Sequence, residues 1–352
     1  MHRRYVPSSD TPWIPRFGAL MLVAALAGCS AAGTPATTSL VTPATRPASA
    51  APPVAASPRP VPLADLRVDE LGVIPVLMYH QLLARPTGAY DQSPAQFRSQ
   101  LETLYQAGFV TITAADLVAG RLDVPAGKSP MVLTFDDSTT SQYAENPDGT
   151  PAADTAVALL LQVGRAHGQP RPVATFYVNA QPFGNHPEYL PRLTALGMEL
   201  GDHTATHANL RTLGEAGVQA ELTAGQQVIT SAVPGASVTT MALPFGAEPR
   251  NRALATSGGA GRGAYRFGGV MLVGSGPARS PFATGFDPMG VPRIRSGLTT
   301  GDQTLTASYW IPQLLSGAVR RFVSDGDPAT VAFPAREASQ LSPAFSARAR
   351  PY

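Results

Sequence analysis

The chain has 352 residues, 44% of them hydrophobic and 14% charged, with a net charge of +2. That balance belongs to a globular protein and not a disordered one. So small a charge, with no basic block interleaved with aromatics, excludes nucleic acid as an expected partner. The single cysteine, Cys29, excludes an internal disulfide.

In chain order, Arg3, Arg4 and Arg16 precede an apolar run from Phe17 to Ala27. A mature bilayer span needs about 20 residues, so this shorter run reads as a signal peptide over residues 1–28. The run closes on Leu26-Ala27-Gly28-Cys29, which resembles the lipobox of bacterial lipoproteins. The resemblance implies lipidation at Cys29, export, and anchoring to the outer face of the cell membrane within the cell envelope. Residues 29–66 are rich in Ala, Pro, Thr and Ser and have no periodic apolar face, which predicts a disordered tether. A folded domain is expected over 67–335, a C-terminal tail over 336–352, and a monomer.

Within the domain, Val73 to Tyr79 predicts a buried first strand ending on His80. Ser93, Pro94 and Gln96 have the order of a capping box with proline at the first helical position, and Phe97, Leu101, Leu104 and Tyr105 supply the buried face. Val110 to Ile112 predicts a strand, and Thr113 with Asp116 opens a short helix ending near Gly120. The apolar run Met131 to Phe135 predicts a buried strand that delivers Asp136 and Asp137 to the rim of a sheet. A helix is expected from Pro151 to about Gly168, a strand over Val173 to Asn179, and a helix over Pro187 to Leu196. Met198 to Leu200 then leads into His203-Thr204-Ala205-Thr206-His207. Beyond a helix over Leu213 to Ile229 and a strand over Val238 to Leu243, strands are expected at Tyr265 to Val273 and Val291 to Ile294. The last predicted helix covers Ala307 to Val323. Alternation of strand and helix implies an α/β fold with parallel strands.

One carboxylate and two imidazoles are a recurrent ligand set for a divalent metal, and a second adjacent carboxylate is then free to act as a base. Zn2+ is the default for such a set, although Ni2+, Co2+ or Fe2+ fits the same donors. Asp202 beside this motif is expected to hold backbone and not metal, and His167 and His186 to be surface residues.

Thr134-Phe135-Asp136-Asp137, His203-Thr204-Ala205-Thr206-His207 and Leu243-Pro244-Phe245-Gly246 resemble, in order, three motifs of the polysaccharide deacetylases with a NodB homology domain, carbohydrate esterase family 4. The resemblance runs from about Ile74 to about Ser296. It implies a distorted (β/α) barrel and a hydrolase that removes N-acetyl groups from an N-acetylglucosamine-type polysaccharide. Carried over, Asp136 matches the catalytic base, Asp137, His203 and His207 the metal ligands, and Pro244 and Phe245 the oxyanion and substrate-binding turn. Three departures stand out: Ala242 replaces the arginine that begins the third motif, Ser138 replaces a glycine, and no histidine follows His207 to serve as acid. Val76-Leu77-Met78-Tyr79-His80 is similar to a circularly permuted subgroup typified by exopolysaccharide deacetylases, in which the acid lies near the N-terminus. His80 is then the candidate acid, and Arg293 could stand in for the missing arginine. Two further readings stay open from sequence: a glycan-binding lipoprotein with this fold and little or no activity, and an O-acetyl esterase.

Overall fold

Residues 61–297 and 302–352 are described by the computed structural model. The signal peptide, Cys29 and the tether as far as residue 60 lie outside the described residues. In chain order the elements are β1 (Val76–Tyr79), α1 (Pro94–Gln106), β2 (Phe109–Ile112), α2 (Ala114–Ala119), β3 (Ser129–Phe135), α3 (Ala156–Ala166) and β4 (Thr175–Val178). They continue with α4 (Pro182–Asn185), α5 (Tyr189–Ala195), β5 (Glu199–Asp202), α6 (Glu215–Ala232), β6 (Thr240–Ala242), β7 (Ser257–Gly258) and β8 (Tyr265–Arg266). The last are β9 (Gly269–Met271), β10 (Ile294–Arg295), α7 (Ala307–Ser316), β11 (Val331–Phe333) and β12 (Ala349–Pro351).

Eight strands form one all-parallel sheet, seven of them in the order β10-β1-β3-β4-β5-β6-β9 and β2 beside β3. The long β3 shares one edge between two partners: Ser129 to Val132 pair with β2, and Thr134 and Phe135 with β4. The sheet curls, and a single bridge between Met271 and Val291 joins its far edge to the segment leading into β10.

Strand alternation sorts the core into two bodies. Leu77, Tyr79, Leu133, Phe135 and Phe176 face the helices, where the Phe135 ring stacks between Tyr79 at 5.1 Å and Phe176 at 4.9 Å. Each such fully buried side chain contributes about 1.5–3 kcal/mol by leaving water. Val76, Val132, Tyr177, Ala242 and Met271 face the inside of the curl. The same count, 132 then 134 then 136, points Asp136 inward.

Local chemistry sets the helix starts. Ser93 and Gln96 form a reciprocal capping box with Pro94 at the first turn, and Thr113 caps α2, which ends on left-handed Gly120. Several expectations need correction, among them the last helix, expected over Ala307 to Val323, which ends at Ser316 before left-handed Gly317. The helix expected from Pro151 begins at Ala156, because the Thr155 hydroxyl accepts from Ala158 N–H, while Pro151 bridges to Glu145. The strand expected over Tyr265 to Val273 is two: β8 pairs antiparallel with β7, and the chain then turns at Gly268 so that β9 joins the main sheet. Residues 61–66, assigned to the tether, include a turn in which Asp65 and Leu66 N–H donate to the Pro62 carbonyl. Residues 336–352, set apart as a tail, contain β12, which pairs in parallel with β11. Among the described residues no helix is long and apolar enough to cross a membrane.

At the strand-start end, away from His80, the segments 69–74 and 320–333 lie together. Buried Glu70 clasps them: its carboxylate accepts from Ala332 N–H at 2.8 Å, Asp325 N–H at 3.3 Å and the Ser324 hydroxyl at 3.2 Å. Burial, with Asp325 nearby, pushes the Glu70 carboxyl up to about 7 from the usual 4.5. The folded chain therefore holds this proton more tightly than the unfolded chain does, so the stability it carries is complete below pH 4.5 and is lost as pH rises towards about 7. Urea melts between pH 4.5 and pH 8 are expected to show this decline, and Glu70→Gln to flatten it; parallel curves for both proteins would contradict the assignment.

Candidate metal and acid–base site

The strand ends bring together most of what the motifs predict. Asp136 and Asp137 follow β3, His203 follows β5, His80 follows β1, and Pro244 and Phe245 follow β6. Arg293 comes from the other direction, entering β10 level with Val76 and lying wholly inside the curl at 0% exposure.

Arg293 and Asp136 form a two-pronged ion pair, with Nη1 to Oδ1 and Nη2 to Oδ2 both at 2.7 Å. Two further donors are placed: Nη1 donates to Thr134 Oγ1 at 3.1 Å and Nε to the Leu272 carbonyl at 2.6 Å. Its guanidinium carbon sits 5.7 Å from the centre of the Tyr177 ring. That ring has room because its cross-strand partner is Gly201; a Cβ there would fall 2.4 Å from the ring. Burial alone would raise the Asp136 pKa, but Arg293, with smaller help from His203 and His80, holds the carboxyl well below the usual range. Asp136 is therefore a buried, ionised carboxylate with fixed orientation.

Asp137, His203 and His207 converge, each offering one donor atom within 4.8 Å of the others. His203 Nε2 and His207 Nε2 both lie 3.4 Å from Asp137 Oδ1. His203 Nδ1 is 2.9 Å from the Ala242 carbonyl, to which it donates, which leaves Nε2 to face Asp137. That buried Nε2 has no hydrogen-bond partner, which is the condition expected of a ligand atom. The donor set fits a divalent cation. Burial disfavours the charged form of His203, yet Asp136 and then Asp137 outweigh it and raise its pKa. Burial and the neighbouring His203 lower that of His207.

His80 Nε2 lies 4.0 Å from Asp136 Oδ2, and its ring packs against Tyr90 with centroids 4.7 Å apart. Burial lowers its pKa against the pull of Asp136. Asp202 is buried and accepts from Thr204 N–H at 2.6 Å, organising the histidine turn, and burial pushes its carboxyl up to about 8. His167 and His186 are exposed. Phe245 is 64% exposed beside His207, with ring centroids 4.6 Å apart.

Backbone strain marks the same place. Of nine described non-glycine residues with positive φ, five line it: Asp137, Ser138, Thr204, His207 and Phe245. At 74°, the φ of Asp137 redirects a side chain that strand alternation would turn away. Sequence reasoning did not find Thr134, Tyr177 or Tyr90; only Tyr177, an aromatic opposite a glycine, left a trace in the pattern.

Fold and site together define a parallel α/β protein with a buried, arginine-held carboxylate beside a two-histidine, one-aspartate donor cluster that could hold a cation. The polysaccharide deacetylase family profile matches residues 123–259. A chitooligosaccharide deacetylase of Bradyrhizobium sp. (strain ANU 289) is 32% identical over 205 residues, spanning 54% of this chain and 86% of that protein. A chitin deacetylase of Pestalotiopsis sp is 36% identical over 160 residues, 42% of this chain and 47% of that protein. The same fold occurs in a Streptococcus pyogenes deacetylase solved with acetate, at TM-score 0.50 and 18% identity, covering 66% of this chain and 96% of that one. The chain belongs to the polysaccharide deacetylase family.

Two outcomes follow. Zinc bound by the purified wild-type domain, measured by mass spectrometry, is expected to be lost in His203→Ala; equal metal in both would remove the cation site. Arg293→Met is expected to destabilise the fold by about 3–5 kcal/mol at neutral pH, as removal of one partner from a buried ion pair does. In urea melts that penalty should shrink as pH falls, because an unpaired Asp136 takes up a proton in the fold more readily than in the unfolded chain.

Proposed function

We propose that the protein is a metal-dependent N-deacetylase of an N-acetylglucosamine-type polysaccharide, acting outside the cytoplasm as a lipoprotein anchored through Cys29. The observation that carries the activity is the buried Arg293–Asp136 pair, set between the Asp137, His203 and His207 donors and the His80 imidazole. It answers the departure at Ala242, since Arg293 supplies from β10 the contact the third motif lacks. An active enzyme is therefore favoured over a glycan-binding protein without turnover.

Asp137, His203 and His207 would hold the cation. When bound, a divalent metal polarises the acetyl carbonyl and lowers the pKa of a water from ~15.7 towards ~7. Asp136, kept ionised by Arg293, takes the proton of the attacking water. The backbone N–H of Phe245, in its strained turn after Pro244, donates to the oxyanion that develops on the acetyl group. His80 gives a proton to the departing nitrogen; its lowered pKa makes it a strong donor once charged. The products are acetate and a free amino sugar. His80 at the end of β1, next to Asp136, also supports kinship with the exopolysaccharide-deacetylase subgroup. Zinc suits the donor set.

Release of acetate from N-acetylglucosamine oligomers is expected from the wild type and should fall by at least about 100-fold in Asp136→Asn, the scale of a lost general base. Wild type and variant equally inert with metal bound would leave the glycan-binding reading in its place, and cleavage confined to acetylated xylan would make the protein an esterase. For the anchor, fatty-acid label incorporated by the full chain in bacterial cells should disappear in Cys29→Ser; label retained in the variant would refute lipidation at Cys29.

A further inference from the structure

We propose that Gln142 is a positioning residue that sets the acid His80 against the base Asp136. The proposal rests on the deacetylase reading above. Gln142 is 0% exposed, and its side-chain Nε2 donates to two backbone carbonyls, that of His80 at 2.6 Å and that of Asp136 at 2.5 Å.

The two carbonyls belong to the residues just past the paired ends of neighbouring strands, since Tyr79 and Phe135 are register partners in β1 and β3. The last ladder bond runs from Asp136 N–H to the Tyr79 carbonyl at 3.0 Å. Past it the strands part: His80 N–H turns to the Tyr90 carbonyl at 3.4 Å, and Asp137 enters the left-handed region. The Gln142 amide takes the place of the next rung, bridging the strand that carries the acid to the strand that carries the base. Its own backbone is held at both ends, by Gln142 N–H to the Thr139 carbonyl at 3.0 Å and by Val157 N–H to the Gln142 carbonyl at 3.1 Å. Ser141 adds a second strap, its Oγ accepting from Leu82 N–H at 3.0 Å.

Gln142 Oε1 is buried without a partner. The fold keeps an amide here although one end of it forfeits a hydrogen bond, which is what a bridge between two carbonyls requires and what packing alone would not select. Gln142 touches neither the ligand atoms nor, in this reading, the substrate. It acts through the 4.0 Å separation of His80 Nε2 and Asp136 Oδ2.

The test exploits a leaving group that needs no acid. Gln142→Leu keeps the approximate volume and removes both donors. Its kcat on N-acetylglucosamine oligomers is expected to fall by about 10- to 100-fold with KM little changed, the scale of a roughly 1 Å misplacement. Its hydrolysis of 4-nitrophenyl acetate, whose phenolate departs unprotonated, should stay within about threefold of wild type, against the ~10²-fold scale of a lost acid. Equal losses on both substrates, or no loss on the oligomer, would overturn the proposal. A wild type that releases no acetate would overturn the deacetylase reading itself, and the proposal with it. Should Gln142→Leu not fold, Ser141→Ala removes the neighbouring strap while leaving Gln142. A smaller loss confined to the amide substrate supports the bridge, and unselective loss refutes it.

Discussion

The ion pair between Arg293 and Asp136 is the interaction on which the rest of the site depends. A buried carboxylate carries a desolvation penalty of several kcal/mol, and without a partner it would take up a proton. The bidentate guanidinium offsets that penalty and also fixes the carboxylate plane. Holding the arginine in turn requires the Leu272 carbonyl, the Thr134 hydroxyl and the face of Tyr177. Tyr177 lies there only because Gly201 presents no side chain beneath it. The pairing of β10 with β1, which carries Arg293 to Asp136, is thus a requirement of the site as much as of packing.

Around that pair the backbone is bent at the expense of local comfort. Asp137, Ser138, Thr204, His207 and Phe245 all sit in left-handed conformations that cost non-glycine residues of order 1–3 kcal/mol each. Neighbouring hydrogen bonds hold several of them, among them Thr204 N–H on Asp202 and the Ser138 carbonyl accepting from Phe183 N–H. The two-layer core supplies the rigidity against which such turns can be held, with aromatic stacks behind β1, β3 and β4.

Much of this was legible in the residues. Helix caps are local, so the start of α1 at Pro94 and of α2 at Ala114 could be read directly. The start of α3 was misplaced because two signals compete: proline suits a first turn, but Thr155 offers a side-chain cap and Pro151 does not. Residues 265–273 look like one apolar strand, yet a Gly-Gly pair lets the chain leave one sheet and join another. The pairing of β12 with β11 joins segments whose sequences carry no shared pattern.

The sequence by itself determined the parallel α/β class, the period-2 count that turns Asp136 inward, and the paired carboxylates and His-x3-His whose donors could hold a cation. Each of these is encoded within a few residues, because alternation, capping and ligand spacing are short-range. Only the tertiary structure decided which cationic side chain holds Asp136. Arg293 meets Asp136 across 157 residues, and no local rule distinguishes it from an arginine at an exposed strand end. The same is true of the imidazole beside Asp136: His80 is one more residue after an apolar run until β1 and β3 pair in register and their ends come together. Register and burial depend on the packing of the whole sheet, and so does the site.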